Sequence, residues 1–219
     1  MQTLELRWFV AGALPEGALE AFTGGSGGRG FAGASGVFAG VSATMVSDSV
    51  EERADRYLLG TGEERGIKRR GDQGPFEDKR LEEVDGGILE VPGMAPIPAD
   101  VERWSKSILS ASALPGEPRW VTVHKRRALR WLDHGRAELT SLRIDGKDLV
   151  AAGLYSPEGL EFHTLALECT TGRGSGSGER LRASAVRLLD QGEALWRGIA
   201  DEGECWSYPA WLTWSLHPK

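Results

Sequence analysis

The sequence predicts an α+β protein in which a closed antiparallel β-barrel carries helices on its outer surface. Many short segments alternate between apolar and polar residues, and Gly-containing turns separate them. Few helical patterns interrupt these segments, and the clearest helix follows the last long strand. Many strands with few helices in this order are typical of a barrel with helices packed around it.

The 219 residues predict a single domain over positions 1–219. The net charge of −6 argues against general nucleic-acid binding, which needs a basic footprint, but it is compatible with a local basic cleft. The N-terminus lacks the pattern of a signal peptide, and no apolar run reaches the ~20 residues that span a bilayer. We therefore expect a cytoplasmic protein without a membrane anchor, with Cys169 and Cys205 reduced.

The first half of the chain predicts a strand at residues 3–10 and a short helix at residues 14–22. Residues 24–40 are rich in glycine, and we expect a flexible insertion at positions 24–50. This segment lacks the Gly-Lys-Ser/Thr ending of a phosphate-binding loop. Alternating patterns and turn residues then predict a strand meander at residues 55–59, 65–70 and 76–84, followed by a short strand or a bend at 88–91.

The second half predicts a helix at residues 98–109, because Val101, Trp104 and Ile108 are spaced for one apolar face. Long strands and a final helix follow, at residues 119–131, 137–145, 161–171 and 179–199. Residues 201–219 form an aromatic tail that we expect to pack on the domain. A surface for a partner or ligand is the alternative role for this tail.

Basic residues recur on the predicted strands. They are Lys68 with Arg70, Lys125 with Arg127, and Arg7 and Lys79 alone. Residues two apart on a strand face the same side of a sheet. Inward charges in a closed sheet are costly unless they share water, a counter-charge or a ligand. The pattern therefore predicts an anion-binding barrel, although a solvated sheet face is the better explanation for any one of these strands taken alone.

The order of these motifs resembles that of the CYTH superfamily, the triphosphate tunnel metalloenzymes. That family opens with an E-x-E-x-K strand, continues through basic strands, and closes on an E-x-E strand before a C-terminal helix. The matching segments here are TLELR at 3–7, IKRR at 67–70, FEDK at 76–79, HKRR at 124–127, AELT at 137–140 and TLALE at 164–168. The resemblance covers residues 3–199 and implies an eight-stranded tunnel barrel.

The resemblance also implies roles for individual residues. The substrate-binding cations would be Arg7, Lys68, Arg70, Lys79, Lys125 and Arg127. Glu5, Glu138 and Glu168 would hold Mg²⁺ or Mn²⁺, and Glu5 and Glu168 would take part in catalysis. The expected ligand is a phosphorylated small molecule or inorganic polyphosphate, and the chain could form a homodimer.

This sequence departs from the family in its acidic half. Thr3, Thr140 and Ala166 stand where further carboxylates could be. Three hypotheses follow: a metal-dependent triphosphate hydrolase or transferase, a phosphate-binding module without catalysis, and a protein-interaction module on the same fold. The four histidines show no ligand spacing on a common element, so zinc is not expected.

Overall fold

A computed structural model describes residues 1–23, 50–71, 73–114, 117–132, 134–154, 158–170, 177–191 and 194–216. The predicted glycine-rich residues 24–40 lie outside these ranges. The strands are β1 Gln2–Ala11, β2 Glu51–Leu58, β3 Arg65–Arg70, β4 Phe76–Asp85, β5 Ile88–Leu89, β6 Ile97–Pro98, β7 Val101–Leu109, β8 Trp120–Leu132, β9 Gly135–Ile144, β10 Leu160–Thr170 and β11 Glu204–Cys205. The α-helices are α1 Ala18–Phe22, α2 Gly146–Ala151, α3 Ser177–Gln191, α4 Ala194–Glu202 and α5 Tyr208–Leu216.

Eight of these strands close into an antiparallel barrel, which confirms the predicted fold class. Their order around the barrel is β1, β10, β9, β8, β2, β3, β4 and β7, and β7 returns to β1. The first half of β1 pairs with β7, whereas Trp8 and Phe9 pair with the short strand β11. Both edges of β1 are therefore hydrogen-bonded along most of its length.

The two faces of β1 show how the barrel is built. Leu4, Leu6 and Trp8 point outward and belong to a buried apolar cluster that includes Leu189 of α3 and Trp196 of α4. The intervening polar side chains point into the barrel. The main apolar core thus lies between the barrel and its helices, so the barrel interior is available for polar groups.

The helix predicted at residues 98–109 is wrong, because this segment contains β7. In the barrel, β7 pairs with β4 along Val101–Leu109 and with β1 along Glu102–Ser105. The spacing of a few apolar residues favours a helix locally, but the unpaired backbone groups of both neighbouring strands require a strand here. The helix predicted at 179–199 corresponds to α3 and α4, which lie on either side of residues 192–193, and those two residues are outside the described ranges.

The last helix, α5, packs at the end of the barrel where β1 finishes and β10 begins. The Trp211 ring stacks on Phe9 with ring centroids 5.2 Å apart, and it meets Phe162 edge-on. The Tyr208 ring stacks on Tyr57 at 5.8 Å. These contacts fill one end of the barrel interior with aromatic rings. Among the described residues, no helix is long and apolar enough to cross a membrane.

Candidate anion-binding site

The barrel interior gathers the cations that the sequence singled out. Arg7, Lys125 and Arg127 are buried, and the side chains of Lys68 and Lys79 are only 17% and 14% exposed. Arg70, also predicted to bind substrate, has a side chain that is 52% exposed, and its Nε lies 3.0 Å from Glu77 Oε1. The alternation of side chains along each strand explains this convergence, because every second residue faces the interior.

The three carboxylates that the sequence assigned to metal also lie in the interior, beside these cations. Glu5 and Glu168 face each other directly across the β1–β10 pair, and Glu138 faces Ala166 on the adjacent β9–β10 pair. Arg7 links two of the carboxylates, since it lies 3.8 Å from Glu5 and 3.9 Å from Glu138.

Glu5 is held by donors on both of its oxygens. Lys79 donates to Oε2 at 2.5 Å, and the Thr3 hydroxyl donates to Oε1 at 3.2 Å. Lys106 Nζ lies 3.4 Å from Oε1. Burial alone would raise the pKa of Glu5, but Lys79, Arg7 and Lys106 together lower it well below its usual value. Glu5 is therefore a charged carboxylate at neutral pH.

Glu138 has a similar environment. Arg127 donates to Oε2 at 2.9 Å and the Thr140 hydroxyl donates to Oε1 at 3.0 Å. Burial opposes ionisation, but the charges of Arg7 and Arg127 outweigh it and lower the pKa of Glu138 to about 2. Arg127 is shared, because it also donates to Glu51.

Glu168 accepts from Lys106 at 3.0 Å on Oε1 and from Arg136 at 2.7 Å on Oε2. Burial and the neighbouring Glu5 raise its pKa, but Lys106 and Arg136 more than compensate and lower it. Lys106 was missed by the sequence analysis because its segment was interpreted as a helix. As part of a strand, it would have been recognised as one more inward cation.

Arg53 and Asp55 on β2 were also missed. Asp55 is fully buried, and its Oδ2 lies 3.2 Å from Lys125 Nζ, 3.4 Å from Arg53 Nη2 and 3.8 Å from Lys68 Nζ. The signal was present in the sequence, since Arg53, Asp55 and Tyr57 alternate along one strand. The predicted strand began at residue 55, which left Arg53 outside it.

The interior carboxylates do not fit a divalent cation. All six oxygens of Glu5, Glu138 and Glu168 lie within 3.2 Å of a lysine, arginine or hydroxyl donor. A Mg²⁺ or Mn²⁺ ion in their midst would have to displace these donors and would be repelled by the lysine and arginine charges. We therefore derive no chemistry through a metal at these residues.

Among the described residues, one group has the spacing of a metal site, and it lies elsewhere. His124, Asp145 and Asp148 place one ligand atom each within 4.8 Å of the others. His124 is on β8, whereas the two aspartates lie at the start of α2, so their approach depends on the fold and not on sequence spacing. Arg143 also contacts Asp145, at 3.3 Å.

Tyr208 of α5 forms the boundary between the aromatic end and the charged part of the interior. Its ring lies 4.3 Å from the guanidinium carbon of Arg7 and 3.8 Å from Lys125 Nζ, as in cation–π contacts. Burial raises the pKa of the Tyr208 hydroxyl. The aromatic tail thus contacts two cations that sequence analysis assigned to ligand binding.

Several buried donors near Tyr208 find no acceptor among the described residues. They are Arg7 Nη1, Arg53 Nε and Nη1, and the Tyr208 hydroxyl. Arg7 Nη1 is 3.9 Å from Glu138 and Arg53 Nη1 is 3.7 Å from Glu51, both too long for hydrogen bonds. Unpaired buried donors are costly and rare in folded proteins, so they mark a place where an acceptor is needed.

No family model matches the sequence, and no curated protein matches it. Solved structures with some likeness include a chain of the Schizosaccharomyces pombe Mediator head module, at 8% identity and a TM-score of 0.47, over 86% of this chain and 93% of that one. S. pombe Pct1 RNA triphosphatase has 12% identity and a TM-score of 0.39, over 93% of this chain and 85% of that one. Pct1 in complex with the Spt5 CTD has 11% identity and a TM-score of 0.35, over 90% and 79%.

Proposed function

We propose that the barrel binds a small phosphorylated anion in its interior, as a binding module that works without a metal and without hydrolysis. The observation that carries this proposal is that three buried guanidinium nitrogens, Nη1 of Arg7 and Nε and Nη1 of Arg53, lack hydrogen-bond acceptors among the described residues. The guanidinium groups of Arg7 and Arg53 both interact electrostatically with Glu138 and Tyr208, so they lie in the same part of the interior.

Guanidinium groups favour phosphate because their planar donors match two phosphate oxygens at once. An anion between Arg7 and Arg53 would supply the missing acceptors. The environment of Lys68 supports a need for such an anion. Burial, with a smaller contribution from the cationic neighbours Arg70 and Arg53, lowers the pKa of Lys68 to about 8 against the opposing effect of Asp55 and Glu77.

Hydrolysis is not part of the proposal. The metal-dependent activity implied by the sequence resemblance needs carboxylates free to bind an ion, and those of Glu5, Glu138 and Glu168 are held by protein donors. A phosphate-binding module is therefore favoured over a phosphohydrolase. Ordered water is the competing occupant of a polar interior, because water also satisfies buried donors.

Thermal unfolding in EDTA tests the proposal. Phosphate, pyrophosphate and tripolyphosphate are added at equal ionic strength, with NaCl as the reference. A ligand at a hundred times its dissociation constant stabilises the protein by about 2.7 kcal/mol. We expect stabilisation of the native protein and its loss in Arg53→Met, while the outward-facing control Arg126→Met responds as the native protein does.

Two results would contradict the proposal. If none of the three anions changes the melting temperature of the native protein, the protein binds none of them and water fills the interior. An equal response in Arg53→Met places the anion elsewhere. Release of phosphate from tripolyphosphate with Mg²⁺ or Mn²⁺, abolished in Glu168→Gln, would restore the enzyme hypothesis.

A further inference from the structure

The carboxylates of Glu5 and Glu168 form a like-charge pair that needs a cation between them. They are directly opposite in the β1–β10 register, where like charges destabilise a sheet. Their mutual effect is visible in the electrostatics, since Glu5 raises the pKa of Glu168. Two carboxylates that face each other in this way form an oxygen-rich site of the kind that binds hard divalent cations together with water.

Lys106 supplies that cation from the protein itself. Its Nζ lies 3.4 Å from Glu5 Oε1 and 3.0 Å from Glu168 Oε1, so one ammonium group touches both carboxylates. The remaining oxygens have separate partners, because Lys79 holds Glu5 Oε2 and Arg136 holds Glu168 Oε2. Among the described residues, Lys106 alone bridges the pair within 4.0 Å.

A lysine is suited to this position. Its ammonium group is a compact charge with three donors on a flexible stem, and it can reach two acceptors on different strands. β7 places it there, since Lys106 is on the inward face of the strand that follows β4 in the barrel, opposite Lys79. The side chain is 24% exposed, so the site communicates with solvent.

We infer that the ammonium group of Lys106 occupies the place of a divalent metal ion between Glu5 and Glu168, which makes the native barrel metal-independent and leaves a latent Mg²⁺ or Mn²⁺ site beneath the lysine. Removal of Lys106 leaves Glu168 Oε1 without a donor and Glu5 Oε1 with the Thr3 hydroxyl as its donor. A divalent ion could then bind one oxygen of each carboxylate, and it would no longer be repelled by the charge of Lys106. This inference does not depend on anion binding, because its test uses metal alone.

The test compares Mn²⁺ binding by native protein and by Lys106→Met, using electron paramagnetic resonance of free Mn²⁺ and thermal unfolding with and without EDTA. The substitution Glu168→Gln is added to each protein, and the Mn²⁺ binding that it abolishes is assigned to the barrel. Binding that remains can come from His124, Asp145 and Asp148. In the native protein we expect no Mn²⁺ binding that Glu168→Gln abolishes. In Lys106→Met we expect this Mn²⁺ binding to appear, with an affinity at least about tenfold above the upper limit for the native protein and a higher melting temperature in Mn²⁺ than in EDTA.

Matched variants complete the experiment. Lys106→Arg keeps the charge and stays metal-independent, and Arg103→Met, which changes an outward cation on the same strand, behaves as the native protein does. The inference is overturned if native protein shows Mn²⁺ binding that Glu168→Gln abolishes, a result that does not require any Lys106 variant to fold. It is also overturned if folded Lys106→Met, or folded Lys106→Gln, gains no Mn²⁺ binding.

Discussion

The ammonium nitrogen of Lys125 lies 3.8 Å from the centre of the Tyr208 ring, so the C-terminal helix directly contacts the charged interior of the barrel. The same nitrogen donates to the Tyr57 hydroxyl at 2.7 Å and lies 3.2 Å from Asp55. Lys125 is thus surrounded by aromatic rings and one carboxylate. Because α5 supplies one of those rings, loss of α5 packing should disturb the barrel interior as well as its apolar end.

Trp211→Ala tests how much α5 contributes to stability. Trp211 is fully buried and touches the rings of Phe9, Phe162 and Tyr208. Truncation of such a side chain should lower the free energy of unfolding by about 3–5 kcal/mol, measured by urea denaturation. Trp214→Ala, on the same helix but 58% exposed, should change it by no more than about 0.5 kcal/mol. Equal small effects at both positions would show that α5 is not part of the folded core.

Gly66→Ala tests the close approach of α5 to β3. A Cβ at Gly66 would lie 2.9 Å from Pro209 Cγ, so either α5 or β3 must shift. We expect destabilisation by about 1–3 kcal/mol in the same assay. The control is Gly198→Ala in α4, where no atom lies within 4 Å of the new Cβ and the helix should gain about 0.5–1 kcal/mol. A stable Gly66→Ala would mean that Pro209 moves aside without cost.

The barrel could be predicted where local patterns and global pairing agree. β3 matches its predicted bounds, because alternation and flanking glycines both indicate Arg65–Arg70. β7 could not be predicted, since Val101, Trp104 and Ile108 also fit a helix and only the pairing with β4 and β1 decides between the two. Local propensity is a weak guide when the strands on either side need partners.

The site was predictable in its residue types and not in its pairing. The convergence of Arg7, Lys125 and Glu138 follows from strand alternation, but the choice of partner for each charge depends on strand order and register. Lys106 shows this most clearly, because its bridge between Glu5 and Glu168 joins three strands that are distant in sequence. The contact of Tyr208 with Arg7 has no sequence signal, since it depends on where α5 docks.

Glu138→Gln should destabilise the protein at neutral pH and not in acid. The pKa of Glu138 is about 2 in the folded protein, below its usual value of 4.5. A depressed carboxyl pKa contributes stability above the unfolded pKa, and this contribution is lost as the pH falls toward 2. We expect a loss on the order of 3 kcal/mol at pH 7, measured by urea denaturation, that disappears near pH 2. The exposed control Glu52→Gln should show little effect at either pH, and a pH-independent loss in Glu138→Gln would assign the effect to packing.

Glu102→Gln should increase the free energy of unfolding at high pH, in contrast to the decrease expected for Glu138→Gln. Burial raises the pKa of Glu102 to about 7, although Trp104 Nε1 donates to its carboxylate at 2.9 Å and Lys79 favours its charge. A raised carboxyl pKa means that the folded protein holds a proton that the unfolded chain has released between pH 4.5 and 7, so stability falls as the pH rises through this window. Glutamine removes that dependence. We therefore expect Glu102→Gln to stabilise the protein at pH 8 by on the order of 3 kcal/mol and to change little at pH 4.5, measured by urea denaturation at both pH values. Destabilisation at pH 8 would show instead that the charged form of Glu102 serves as a counter-ion for Lys79.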